Sequence, residues 1–144
     1  MTRKPDDETV SAWIALARAH RLAMSGIEAR LKAAGLPSLS WYDVLWELEK
    51  AGEDGLRPFE LERALLFEQY NLSRLMDRMV KSGLVDRCVC PDDRRGQTLR
   101  ISTEGRALRH RMWAVYGDAI AEVIGGRLSA GEAQALAAML GKLG

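Results

Sequence analysis

Between residues 88 and 100 the chain reads CVCPDDRRGQTLR, which sets two thiols, two carboxylates and three guanidinium groups around a Pro-Asp-Asp turn. Thiols at this density suggest metal or redox chemistry. Arginines at a turn suggest contact with a polyanion. Zinc needs four ligands; Cys88 and Cys90 supply two, and His20 and His110 lie far off in sequence, so no metal site is expected. Two residues apart on one strand, the cysteines share a face but sit close to or beyond the usual Cα separation of a disulfide. Oxidant sensing by Cys88 or Cys90 remains an alternative, because neighbouring arginines lower a thiol pKa.

A second group of polar residues lies just upstream. Gln69, Tyr70, Asn71 and Ser73 open a predicted helix on which Arg74 and Arg78 fall four apart. Residues at the N-terminus of a helix laid in the major groove reach base edges, and Gln or Asn can bond adenine bidentately. Arginines further along grip phosphates and position the protein without reading sequence. A solvated helix face is the plainer meaning of Arg74, Asp77 and Arg78 taken alone.

These residues need elements to hold them. From Thr9 to about Ala34 the positions Trp13, Ala17, His20, Met24, Ile27 and Leu31 recur at helical spacing, with Leu16 widening the stripe, and Gly35 and Pro37 stop the helix. A second helix is expected from an N-cap at Ser40, with Asp43 reaching back to it, through Val44, Leu45 and Leu48 to Gly52. Two short helices follow, Phe59 to Leu66 and Gln69 to Lys81, the latter with Leu72, Leu75, Met76 and Met79 on its buried face. Residues 84–90 and 97–101 read as strands of a hairpin, with PDDRRG as its turn. Ser102-Thr103 caps a long helix from Glu104 to about Gly125, carrying Leu108, Met112, Val115, Ala119 and Val123; Ser129 and Glu132 form the capping box of a last helix with Leu136, Met139, Leu140 and Leu143.

The expected fold is therefore mainly α (α+β): a winged helix-turn-helix with a two-stranded β wing and helical extensions at both ends. A chain of 144 residues, 47% hydrophobic and 28% charged, fits one globular domain. Only residues 1–8 read as a tail. No apolar run approaches the roughly 18 residues of a membrane span and no signal peptide is apparent, so a cytoplasmic protein with reduced thiols and no membrane partner is expected. The net charge of +1 hides an asymmetry: residues 41–68 hold eight acids and three bases, residues 69–111 ten bases and five acids. Such a split marks a polyanion-facing surface. Nothing resembles a phosphate loop, a metal cluster or a nucleophile set beside a histidine; neither an enzyme nor a cofactor is expected.

The stretch Gln69 to Leu108 closely resembles the recognition-helix and wing signature of the multiple-antibiotic-resistance regulator (MarR) family. The matching features are Ser73-Arg74-Leu75, Asp77-Arg78, Lys81-Ser82-Gly83-Leu84-Val85, Asp93-Arg94-Arg95-Gly96 and Thr103-Glu104-Gly105-Arg106. Leu39 to Gly52 resembles the family's second helix. The resemblance implies a homodimeric transcriptional regulator, a repressor by the habit of the family, released from a pseudo-palindromic double-stranded DNA operator by a small-molecule effector. Residues 9–34 and 104–143 would be the dimerisation helices and 40–102 the DNA-binding lobe. Arg95 would enter the minor groove, oriented by Asp93, with Arg94 or Arg100 on phosphate. The resemblance also implies a cleft, near Trp41, Trp46, Trp113 and Tyr116, that admits a small aromatic or phenolic anion; His20 is a secondary candidate there. Most of these rings, with Trp13, are expected to be packing. The competing readings are a thiol redox switch at Cys88 and Cys90, and a winged-helix module that binds protein.

Overall fold

The computed structural model describes residues 3–89 and 96–144. Cys90, Asp93, Arg94 and Arg95, named above, lie outside the described residues. The elements are α1 (Asp7–Ala33), α2 (Leu39–Ala51), α3 (Pro58–Ala64), α4 (Leu72–Lys81), β1 (Val85–Val89), β2 (Gln97–Ile101), α5 (Thr103–Ile120) and α6 (Ala130–Leu140). Short 3₁₀ turns follow α2 and α6. The expected winged helix-turn-helix is present, with the helices in the expected order.

Local chemistry explains where most elements begin. Asp6 caps α1, accepting from the Thr9 N–H at 2.7 Å. Glu60 accepts from the Arg57 N–H at 2.9 Å, and Pro58 starts α3 with a preset φ. Ser129 and Glu132 make the expected capping box of α6, at 3.0 and 3.1 Å. At the end of α4, Gly83 takes a φ of +76°, which lets Leu84 N–H return to the Met79 carbonyl at 3.0 Å and turns the chain into β1.

Four expectations need correction. The N-cap position of α2 is Ser38, not Ser40, and the N–H of the first helical residue, Leu39, is held by the Glu28 carboxylate of α1, so Asp43 does not cap its own helix. The recognition helix starts at Leu72, because Asn71 has a non-helical backbone (φ −143°, ψ 62°); Gln69 and Tyr70 precede it. The long helix after Ser102 changes at Ala121–Gly125 to a π-helical turn instead of running on as α-helix. And β2 has a second neighbour: Leu56 exchanges both backbone hydrogen bonds with Leu99, at 2.9 and 2.8 Å.

The hairpin pairs antiparallel from Val85↔Ile101 to Val89↔Gln97. Its inward residues join one core: Leu31 from α1, Leu39, Val44, Leu45 and Leu48 from α2, Leu61 from α3, Leu75, Met76 and Met79 from α4, Val85, Leu99 and Ile101 from the hairpin, and Leu108 and Met112 from α5. Ser102 ties the corner together. Its Oγ donates to the Gly83 carbonyl at 2.6 Å and accepts from the Gly105 N–H at 3.0 Å. Gly105 is required there, since a Cβ would lie 2.2 Å from the Leu84 carbonyl oxygen.

Outside this core the chain is unlike itself. In α1 only Ile27 and Leu31 are buried; Trp13, Ile14 and Leu22, and His20 with them, are exposed. In α6 no residue is buried.

Candidate functional site

In α4, burial of Leu75, Met76 and Met79 fixes the helix on the core and turns the other face outward. That face presents Asn71, Ser73, Arg74, Asp77 and Arg78, all exposed, and Asn71, Arg74, Asp77 and Arg78 line one shallow depression. Asn71 occupies the N-cap position without a side-chain capping bond. Asp77 is paired across to Arg87 of β1 at 2.8 Å, so it braces the helix against the hairpin while Arg74 and Arg78 remain outward. Tyr70 is fully exposed; Gln69 is half-buried. These two flank a separate depression with Phe59, Glu62, Arg63 and Glu68, so they are near the recognition helix but not on it.

On the hairpin, Arg100 is exposed, but it faces Asp86 across the strands and shares a depression with Glu53, Asp54 and Arg106. Carboxylates surround it there, at the base of the wing. Cys88 is a half-buried free thiol opposite Thr98 on β1. Among the described residues no cluster of three or more metal-ligating groups occurs.

A cavity of about 490 Å³ lies between α2, the α3–α4 connection and α5. It brings together Trp46, Trp113 and Tyr116, three of the aromatic candidates, with Tyr42, Asp43, Glu47, Lys50 and residues 64–67. Neither Trp41 nor His20 lines it. Successive helix residues are turned by about 100°, so where Tyr42 faces the cavity Trp41 packs on the core instead. His20 sits on the exposed half of α1.

Reading the sequence missed the other lining residues, Tyr42 and Asp43 of α2 among them. The signal was there: Tyr42, Asp43, Trp46, Glu47 and Lys50 recur at helical spacing along the face of α2 opposite its apolar stripe.

Asp43 is the least expected of them. It is buried, and its two oxygens accept the backbone N–H groups of Leu66 (3.1 Å) and Phe67 (2.9 Å), where the chain leaves α3 for α4. A carboxylate on α2 thus holds the turn of the helix-turn-helix. Burial pushes its carboxyl above the ordinary value; the Phe67 and Leu66 N–H groups oppose this, Glu47 adds to it and Lys50 offsets it. Burial likewise raises the Tyr116 phenol, with Tyr42 and Asp43 contributing.

Known proteins share this fold. Residues 34–96 match the family model described as MarR family. Among solved structures, a MarR family transcriptional regulator from Streptomyces coelicolor in complex with DNA superposes with a TM-score of 0.86 at 24% identity, covering 99% of this chain and 89% of that one. AbsC, another MarR family regulator of that organism, gives 0.84 at 24%, over 99% and 95% of the two chains. A mutant MarR from E. coli complexed with operator DNA gives 0.80 at 23%, over 98% and 99%.

Proposed function

From the premise that the winged lobe of this chain belongs to the MarR family, we propose that the protein is a sequence-specific DNA-binding transcriptional regulator that works as a homodimer. The observation that carries this is α4: a helix seated by three buried side chains whose free face offers Asn71, Ser73, Arg74 and Arg78 beside the hairpin. That is the set a major-groove helix uses, an amide for base edges and guanidiniums for phosphates. Two of the similar structures are complexes with DNA. In this reading Arg95 of the turn enters the minor groove, oriented by Asp93, and Arg94 contacts phosphate. Such a protein acts on the chromosome, in the cytoplasm.

The apolar surface of the terminal helices supports the dimer. Trp13, Ile14 and Leu22 of α1 and Met139, Leu140 and Leu143 at the C-terminus are exposed, and no helix among the described residues is long and apolar enough to cross a membrane. Their burial against a second copy sets two recognition helices about a two-fold axis, to meet half-sites about one helical turn apart. The protein then represses by occupying its operator. An effector in the cavity releases it by binding better to a dimer whose recognition helices are wrongly spaced. Asp43 gives a physical route, since it lines the cavity and holds the turn before α4.

Fluorescence anisotropy with the DNA upstream of the protein's own gene, at several salt concentrations, tests the proposal. Tight binding is expected, weakened in Arg74→Ala, Arg78→Ala and Arg95→Ala, with the salt slope shallower by about one for each phosphate contact removed. Affinity for that DNA and for sites selected from the whole genome no greater than for random sequence would overturn it.

A further inference from the structure

The cavity's charge says what kind of molecule it takes. Three of its rings pack on one another along one wall. Tyr42 stacks on Trp113 with centroids 6.1 Å apart, and Tyr116 stands edge-on to both, at 5.0 and 5.6 Å. Trp46 and Phe67 complete the aromatic lining. Its charged side chains are Asp43, Glu47 and Lys50. Glu47 and Lys50 pair with each other at 2.7 Å, so their charges cancel.

That leaves Asp43, which has two neutral N–H donors and no ion pair among the described residues. Each of its oxygens accepts one N–H and keeps a second lone pair. Trp46 shows how rings here already receive positive charge: Lys50 lies 5.5 Å from its centroid and Arg109 5.1 Å, the latter also bonded to Glu49 at 2.8 Å. A small anion entering this space would face a carboxylate held by neutral N–H groups and offset only in part by Lys50, and it would find that lysine paired with Glu47. A cation would meet that carboxylate within an aromatic lining of Tyr42, Trp46, Phe67, Trp113 and Tyr116.

We infer that the cavity binds an organic cation with a flat apolar body, an arylalkyl ammonium in chemical class, and not the phenolic anion that the family resemblance implies. This rests on the reading of the cavity as the effector site. The aromatic side chains hold the apolar body and the ammonium group lies against Asp43, with the Leu66 and Phe67 N–H bonds left in place.

Isothermal titration of the full-length, DNA-free protein tests it, with benzyltrimethylammonium, its neutral isostere neopentylbenzene, and phenylacetate as the anion of similar size. The cation is expected to bind about tenfold or more tightly than either of the others. That preference should be lost in Asp43→Asn. Trp113→Ala, at a ring 45% exposed, should also weaken the cation, and it keeps the test open if Asp43→Asn folds poorly. Phenylacetate binding as tightly as the cation, no binding of the cation, or cation binding unchanged in both variants would each overturn the inference. DNA is absent from these measurements. A chain that binds the cation but no operator defeats the regulator reading alone, and one that binds an operator but prefers phenylacetate defeats this inference alone.

Discussion

The winged lobe and the terminal helices both carry large apolar side chains, and these end in opposite conditions. In the lobe, Leu39, Leu45, Leu48, Leu61 and Leu99 are at most 1% exposed. In the terminal helices, Trp13 is 66% exposed, Leu22 61% and Leu143 72%, and α6 buries nothing. The lobe closes its core with the help of Leu31 from α1 and Leu108 and Met112 from α5, whereas the outer part of α1 and the C-terminal helix present apolar surface that no described residue covers. Exposed apolar area of this extent marks an interaction surface. One region is therefore specified by folding and the other by assembly, and substitutions should separate them.

The largest effect is expected in the lobe. Leu48→Ala removes a fully buried side chain and should cost about 2–5 kcal/mol of unfolding free energy by chemical denaturation, at any protein concentration. Gly105→Ala comes next. Its Cβ would press on the Leu84 carbonyl, a backbone atom that cannot turn aside, at about 1–3 kcal/mol. Paired charges at the C-terminus, Leu140→Glu with Leu143→Glu, should leave the lobe's stability alone and raise the dimer dissociation constant about tenfold to a hundredfold in sedimentation experiments. If that double variant unfolds the lobe as Leu48→Ala does, the division into two regions is wrong.

The smallest effect is at the start of α1. The Thr9 side chain and N–H hold the exposed Asp6 carboxyl below its ordinary value. A depressed carboxyl pKa stabilises the folded form above the unfolded pKa, and the contribution is lost as pH falls through the folded one. Asp6→Ala should therefore fray the first turn at neutral pH, and wild type should match it only in acid; amide hydrogen exchange over residues 7–10 reads both.

What could be read from the sequence was what is local. The stripe Leu72, Leu75, Met76, Met79 and the caps at Ser102 and Ser129 declare themselves within a few residues, and the structure has them. The contacts that were missed join residues far apart in the chain. Asp43 looked like a cap for its own helix, but its partners Leu66 and Phe67 are 23 and 24 residues on. The cap of α2 comes from Glu28, 11 residues back. A single Leu56–Leu99 bridge has no alternating pattern to announce it. In the cavity, the aromatic residues were recognisable by type, but an error of one residue in helix phase exchanged Tyr42 for Trp41.

The Leu56–Leu99 bridge also bears on solubility. A two-stranded hairpin offers two rows of unpaired backbone groups, each a template on which another chain can add a strand. Leu56 occupies the outer row of β2 at Leu99. The other row belongs to β1, five residues long, with charged Asp86 and Arg87 in the middle of its sequence. Short, partly occupied and charged edges resist strand addition, so copies of the chain are steered to meet through helices and not through their hairpins.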